Sequence, residues 1–400
     1  QVKFPADFSL PGMLYGKTLR VPLASARVVR LDISKAEALA GVVKVVTAKD
    51  IPCKNGHGVI FPDAPVLVAD RVRSINDAVA LVVAESEAIA EEALELITVE
   101  YDELPGVYDP YQAMEEGAPL IWEKGNILYH LPLRKGEVEK GMSQADVIVE
   151  NKYSTQMVDH AFLQPEAALG YIDERGHLVL KVATQYVHWD RYEIAKALNI
   201  SINQVRVVST AVGGAFGGRE DMTLQIHCSL LSWLTKKPVK MVYTREESFI
   251  AHGKRHPFYM EYKTGATKEG KLTALEARII GDAGAYSSWS PNILRKAAIH
   301  ATGPYYIPNV KVDAYAVHTN NPFTGAMRGF GAAQPPLAYE TQMDLLAEKI
   351  GLHPFTIRWR NVFEAGSITA TGQILETSVG IKESLLKAAK AYGWEVEKLF

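Results

Sequence analysis

The sequence predicts an α+β chain, with an α/β unit over residues 1–105 followed by a larger mixed α/β domain. Three observations carry that prediction. Short β-rich runs alternate with helical spacing through the first hundred residues. From Ala145 onward, longer strand patterns alternate with helices. Two glycine-rich segments, 211–221 (A-V-G-G-A-F-G-G-R-E-D) and 324–333 (T-G-A-M-R-G-F-G-A-A), punctuate this second part.

Taken in order, residues 19–29 are β-rich, and 41–46 (G-V-V-K-V-V) read as a strand ending in the turn 47–50. The apolar run at 78–84 is a buried strand. Residues 85–96 form a helix, with Ala88, Ala93 and Leu94 at helical spacing, and 97–101 return to strand. Residues 106–145 carry much Gly, Pro and charge with weak periodicity, which predicts a surface connector. Strands follow at 147–153, 178–183 and 205–212, with a helix at 190–198 between the last two. The chain then enters the first glycine segment, continues as a helix over 220–235, and returns to strand at 238–243. Long strands at 259–264, 272–280 and 310–318 precede the second glycine segment and a helix at 335–350. Residues 366–400 read as a closing helical segment.

Composition excludes several classes of function. The chain has 400 residues, 48% hydrophobic and 22% charged, with a formal charge of −3. That balance lacks the basic face that neutralises nucleic-acid phosphates. The two cysteines, Cys53 and Cys228, form no C-x-x-C, so neither a disulfide framework nor a zinc or iron–sulfur site is expected. Apolar runs are too short to span a bilayer, and no leader pattern appears. A soluble, cytoplasmic protein is expected, with further residues upstream of Gln1.

The glycine segments fit no nucleotide fingerprint. From Gly213 or Gly214 the spacing misses G-x-G-x-x-G, and Gly218 is followed by Arg219–Glu220 rather than G-K-[ST]. Two readings stay open for such a segment: a cradle of backbone N–H groups for an anion or polar cofactor, or a tight strand–helix turn. The second segment repeats the grammar, again with a Phe beside glycines. No G-x-S-x-G, H-E-x-x-H or carboxylate–His cluster is present, and His160, His188, His256 and His300 are expected to make ordinary hydrogen bonds.

Together these fragments resemble the molybdenum hydroxylases of the xanthine dehydrogenase/aldehyde oxidase family. G-G-A-F-G-G-R-E (213–220) is similar to the family's G-G-G-F-G-G-K-E, and M-R-G-F-G-A-A-Q (327–334) to its F-R-G-F-G-x-P-Q. Thr184–Gln185, D-A-G-A-Y (282–286), Y-I-P-N (306–309) and T-N-N (319–321) follow in matching order. The resemblance implies a hammerhead-like domain over 1–105 and a molybdopterin-binding domain over 146–365, with the start of a second such region beyond.

The resemblance also implies a molybdenum–pterin cofactor, in the cytosine dinucleotide form and with a terminal sulfido or selenido ligand, held without direct side-chain ligands. Gln185 would donate its amide near the metal. Gly213, Gly214, Ala215, Phe216, Gly217, Arg328 and Gly329 would line the cofactor. Glu220 and Phe330 would contact substrate. A basic residue completing that pocket falls at Lys296, or at Arg295 if the register slips by one. The family pattern favours Arg there, so Lys296 is a departure. Glu220 also reads as a first-turn carboxylate of a helix.

The family's catalytic glutamate, in a G-E-P context beyond the second glycine segment, has no counterpart here. A split subunit is expected, with the base on a second molybdopterin chain and with iron–sulfur and FAD subunits taking the electrons. The implied reaction is hydroxylation of an N-heterocycle with water as oxygen source. A purine of the xanthine or hypoxanthine type comes first, nicotinate is the alternative, an aldehyde is a distant third, and a non-catalytic scaffold is the reading from another class.

Overall fold

The computed structural model describes residues 2–396. Its N-terminal elements are β1 (Leu14–Arg20), β2 (Ala26–Asp32), α1 (Ser34–Ala38), β3 (Val42–Thr47), β4 (Arg71–Val72), β5 (Ala78–Ala84), α2 (Glu87–Glu95) and β6 (Thr98–Glu103). Every residue of β5 is buried, as its continuous apolar run requires. Alternation along β5 serves two cores. Ala80, Val82 and Ala84 pack with Ala90 and Ala93 of α2, while Leu81 and Val83 face a second, larger core.

Continuing along the chain come α3 (Pro110–Ala113), β7 (Ile127–Lys135), α4 (Val138–Ser143), β8 (Val147–Ser154), β9 (Ala167–Ile172), β10 (Leu178–Val182), α5 (Val187–Ala197) and β11 (Val205–Ser209). After them lie α6 (Gln225–Thr235), β12 (Val239–Val242), α7 (Arg245–Ala251), β13 (Phe258–Ala266), β14 (Leu272–Gly284), α8 (Ser290–Ile299) and β15 (Asn309–His318). The last three elements are α9 (Pro335–Ile350), α10 (Pro354–Asn361) and α11 (Ile381–Ala391).

Three sheets organise these elements. The largest runs β11-β10-β9-β12-β1-β5-β3, a five-stranded sheet runs β7-β15-β14-β13-β8, and β4-β2-β6 form the third. The seven-stranded sheet joins the early and late parts of the chain, because β1 pairs in parallel with β12 through Leu14 and Val239. A buried asparagine reinforces that union. The Asn320 amide donates to the carbonyls of Ala24 (3.0 Å) and Arg73 (2.9 Å), and its side-chain oxygen accepts from the Val107 N–H at 2.9 Å.

Two expectations are corrected. The stretch 106–145 is more than a surface connector, since Ile127–Lys135 is a nine-residue edge strand paired antiparallel with β15. The helix expected over 220–235 begins only at Gln225, and 219–224 are turns and bends. Helix α9 occupies the expected 335–350, with Pro335 opening it and Gly351 closing it in the left-handed region at φ 79°. Within the segment 366–400 expected to be helical, α11 covers Ile381–Ala391, and residues 397–400 lie outside the described residues. No helix among the described residues is long and apolar enough to cross a membrane.

Candidate active site

Parallel strands β10 and β11 end side by side, and their C-terminal extensions build the site. Beyond β10, Thr184 is buried and Gln185 reaches the surface. The Gln185 side-chain oxygen accepts the backbone N–H groups of Gly217 (3.0 Å) and Arg219 (3.3 Å), and the Gln185 backbone N–H donates to the Arg219 carbonyl at 3.2 Å. This fixes the side chain. Its amide nitrogen makes no hydrogen bond among the described residues.

Beyond β11 the first glycine segment folds into a compact loop. The Gly218 N–H donates to the Ala215 carbonyl at 2.9 Å and the Glu220 N–H to the Gly217 carbonyl at 3.2 Å. Gly213 exchanges hydrogen bonds with Gln164, donating its N–H to Oε1 at 2.7 Å and accepting the Gln164 N–H at 3.2 Å. Arg219 is buried beneath the loop. Its guanidinium donates to the carbonyls of Gly214 (3.0 Å) and Gln164 (2.5 Å) and lies 4.3 Å from the Phe162 ring centroid. Phe216 sits at the crest in the left-handed region, φ 53°, and is 51% exposed.

The second glycine segment docks on the first, main chain to main chain. The Arg328 N–H donates to the Phe216 carbonyl at 2.9 Å, and the Arg255 guanidinium donates to the Arg328 carbonyl at 2.8 Å. A β-carbon on Gly217, whose φ is 104°, would lie 2.5 Å from the Ala326 carbonyl oxygen. Only glycine permits that approach. The His160 ring is likewise 2.7 Å from that oxygen, and His256 pairs with Ser290 at 2.8 Å, so both histidines do the structural work expected of them.

Beneath the loops lies a charged pedestal. His252 is fully buried, 3.2 Å from Asp159 and 3.3 Å from Glu166, and Lys254 reaches Asp159 at 2.9 Å. Burial opposes protonation of His252, but its two carboxylate partners outweigh it and hold its pKa above the usual value. Burial likewise raises Glu166 and Asp159, but His252 beside both, with Lys254 at Asp159 and Ser248 and Arg219 at Glu166, reverses this and leaves each below its ordinary value.

Beside the loops opens a cleft of about 1000 Å³, walled by Gln185, Tyr186, His188, Trp189, Trp289 and Asn292, with Val59 and Ile60 reaching in from the N-terminal part. Aromatic rings continue from it in sequence. The Tyr186 and Trp289 centroids are 6.1 Å apart, and Trp289 meets Phe330 edge-on at 5.7 Å. Lys296, one turn past Asn292 on α8, holds its ammonium 6.0 Å from the Phe330 centroid. Of the two basic candidates, Lys296 therefore meets the aromatic row.

Glu220 lies in a bend rather than in the first helical turn that the sequence suggests, so no helix dipole explains it. Burial raises its pKa, and the Tyr186 hydroxyl partly offsets that. Asp221 behind it is pushed up to about 7 by burial, against a 2.7 Å hydrogen bond from Ser288 and with Glu220 and Asp63 adding to the rise. Tyr186 and Trp289 are site residues that the sequence motifs do not reveal. Their only signals are adjacency to Thr184–Gln185 and to the Ser290 end of α8, which carry no chemistry until the fold brings them together.

The fold is shared by known proteins. Residues 1–105 match the aldehyde oxidase and xanthine dehydrogenase a/b hammerhead domain, and residues 121–362 the molybdopterin cofactor-binding domain. The chain belongs to the xanthine dehydrogenase/aldehyde oxidase family of molybdopterin-dependent oxidoreductases. It is 46% identical to the nicotinate dehydrogenase large molybdopterin subunit of Eubacterium barkeri, over 96% of this chain and 91% of that one. It is 31% identical to the xanthine dehydrogenase molybdenum-binding subunit of Escherichia coli O157:H7, over 99% of this chain and 54% of that protein. The aldehyde oxidoreductase from Desulfovibrio gigas superposes with a TM-score of 0.93 at 30% identity, over 98% of this chain and 44% of that one. The chain thus spans about half the length of several relatives and nearly all of another.

Proposed function

We propose that this chain supplies the cofactor-facing part of a hydroxylase acting on an N-heteroaromatic carboxylate, with nicotinate as the first candidate. The carrying observation is the row Lys296–Phe330–Trp289–Tyr186, aromatic faces with a cation at one end. Flat rings stack on such faces, and an ammonium pairs with a substrate carboxylate. The relative named for nicotinate supports this choice. A purine of the xanthine type is the second reading, favoured by Glu220, whose carboxylate suits a ring N–H.

The residues present fit a pterin-bound molybdenum, and we take the cofactor to be in the cytosine dinucleotide form. Gln185 is held by the first loop yet keeps an unpaired amide nitrogen. Gly213, Gly214 and Gly217 of the first loop and Gly329 of the second give their missing β-carbons' space to Gln164, Phe162, Ala326 and Ala333, and this close packing presents Ala215, Phe216 and Arg328 at the loops. No group of three or more His, Cys, Asp or Glu among the described residues is arranged to ligate a metal directly, so these contacts would be to the cofactor's outer atoms. When bound, the cofactor, with a terminal sulfido or selenido ligand, supplies the two-electron oxidation that inserts oxygen from water. This chain's part is to bind the ring, orient it between Phe330 and Glu220, and hold the cofactor's edge through Gln185.

The remaining parts come from partners. Glu220 is assigned to binding the ring, and the described residues that wall the cleft include no carboxylate, so the general base is assigned to a second molybdopterin chain. Two cysteines, one of them buried, cannot provide four thiolates, so iron–sulfur and FAD subunits carry the electrons away.

The test is metal and pterin analysis of the purified complex, with turnover of nicotinate and xanthine. Bound molybdenum is expected, with nicotinate the better substrate. Lys296→Met should lower its kcat/KM by roughly tenfold, about 1.4 kcal/mol, with little effect on xanthine. The reverse preference selects the purine reading, and a complex without molybdenum or pterin would identify a non-catalytic scaffold.

A further inference from the structure

Two walls of the cleft come from distant parts of the chain, and one carboxylate joins them. Residues 57–64 (H-G-V-I-F-P-D-A), between β3 and β4, fold back on themselves as a finger. His57 and Ala64 close its base by exchanging backbone hydrogen bonds at 2.8 and 3.1 Å. The turn inside is too tight for a side chain at Gly58, where a β-carbon would collide with the Phe61 carbonyl oxygen. Val59 and Ile60, next along the finger, wall the cleft.

The other wall is the corner between β14 and α8, which carries Trp289 and Asn292 into the cleft. Ser288 lies there in the left-handed region, φ 39°, a conformation that a residue with a side chain keeps only when its surroundings fix it. They do so here. The Ser288 hydroxyl donates to Asp221 at 2.7 Å, the Ser290 N–H donates to the Ser287 carbonyl at 2.9 Å, and the Ser290 hydroxyl pairs with buried His256 at 2.8 Å. Asp63 reaches this fixed corner from the finger. Its Oδ2 accepts the Ser287 N–H at 2.8 Å, while its Oδ1 is buried with no hydrogen-bond partner among the described residues. The bond to Ser287 therefore offsets the cost of burying this carboxyl.

We infer that Asp63 sets the width of the cleft: by pinning the finger to the Ser287 corner, it fixes Val59 and Ile60 relative to Trp289. Asp63 does not itself wall the cleft, so it is a positioning residue that acts through those two side chains. An apolar edge held in place relative to an indole admits a flat ring of limited width and clashes with one extended by a further fused ring. The inference rests on the cleft being the substrate site.

The experiment compares the assembled enzyme complex with its Asp63→Ala, Asp63→Asn and Trp289→Ala variants, measuring kcat and KM on whichever of nicotinate and xanthine is the better substrate. The benzo-fused analogue of that substrate, quinoline-3-carboxylate or linear benzoxanthine, serves as competitive inhibitor. Asp63→Ala frees the finger. It should raise KM roughly threefold to tenfold, keep kcat within about twofold, and lower the ratio of Ki to KM by roughly tenfold. Asp63→Asn keeps an acceptor oxygen for Ser287 and should hold all three within about twofold of the parent. A merely structural aspartate would lower kcat through lost folded enzyme and leave the Ki to KM ratio in place. If Trp289→Ala shifts KM and that ratio while Asp63→Ala shifts neither, or if Asp63→Asn behaves as Asp63→Ala does, the role of Asp63 is overturned and the cleft reading stands. If neither Trp289→Ala nor Asp63→Ala changes KM or the ratio, the cleft is not the substrate site and both fall.

Discussion

Gly217 is the point where the two loops of the site come closest. Its φ of 104° is a conformation that side-chain-bearing residues rarely adopt, and a β-carbon there would meet the Ala326 carbonyl carbon at 2.7 Å and its oxygen at 2.5 Å. Both contacts are with main chain, which cannot swing aside as a flexible side chain does. Gly217→Ala must therefore separate the loops, straining the Arg328 N–H to Phe216 hydrogen bond and the Gly217 N–H to Gln185 hydrogen bond together. The expected cost is about 1–3 kcal/mol for the backbone alone, together with a marked loss of molybdenum per chain in the purified complex. Gly176→Ala is the control, because Gly176 also has a positive φ, 79°, but open space around it. It should lower the melting temperature modestly and leave metal content unchanged. Equal metal content in both variants would show that the loop contact does not support cofactor retention.

At the scale of elements, what the sequence disclosed depended on whether local signals agreed with tertiary demands. Helix α9 was legible because Pro335, the apolar spacing and Gly351 all point the same way. The stretch before α6 was not. Leu, Met and Gln are good helix formers, yet Asp221 is committed to Ser288 and Gln225 folds its side-chain oxygen back onto the N–H groups of Thr223 and Leu224. Strand β7 was obscured by Pro132, which is tolerated because the strand lies at a sheet edge. The glycines, Gln185, Glu220 and Phe330 could be named from their motifs, whereas Tyr186 and the His252 pedestal exist only through packing. Helix α5 adds a test of its own. Asp190 is fully buried on it, and burial raises its pKa to about 7, only partly offset by Thr184 and Gln225 beside it. The unfolded chain releases this proton near the ordinary value of 3.8, so folding stability falls as pH rises between the two values and levels off above about 7. Asp190→Asn should remove that loss. Urea denaturation is expected to show the variant gaining roughly 2–4 kcal/mol on the parent between about pH 4.5 and 7.5, and parallel curves would mean that Asp190 is not neutral in the folded chain.

For the molecule as a whole, the decisive feature is a sheet that ignores the order of the chain. Strands β3, β5 and β1 are early, β12 and β9 are late, and the β1–β12 pairing makes them one sheet. The early part has apolar clusters of its own around Val45, Ala80, Val82 and Ala93, which argues for some independent order. Its other face argues against autonomy. Leu14, Val46, Leu67, Leu81 and Val83 pack into the core that also holds Ala168, Leu180, Leu230 and Met241. Removing residues 106–400 would bare that face, unpair the β12 side of β1 and strip the Asn320 hydrogen bonds from Ala24 and Arg73. Burial of a single large apolar side chain is worth about 1.5–3 kcal/mol. Re-exposing several of them therefore consumes a loss comparable to the whole margin, roughly 5–15 kcal/mol, by which folded proteins are ordinarily stable. A fragment of residues 1–105 should retain strand content but lose cooperative unfolding. Mixing it with a 106–400 fragment should restore a sharp transition, since the β1–β12 edge and the Asn320 contacts re-form without a covalent link. Circular dichroism during urea titration distinguishes the outcomes. A sharp transition in the isolated 1–105 fragment would mean that its own small cores suffice, and that the shared sheet is a docking surface between two independent domains.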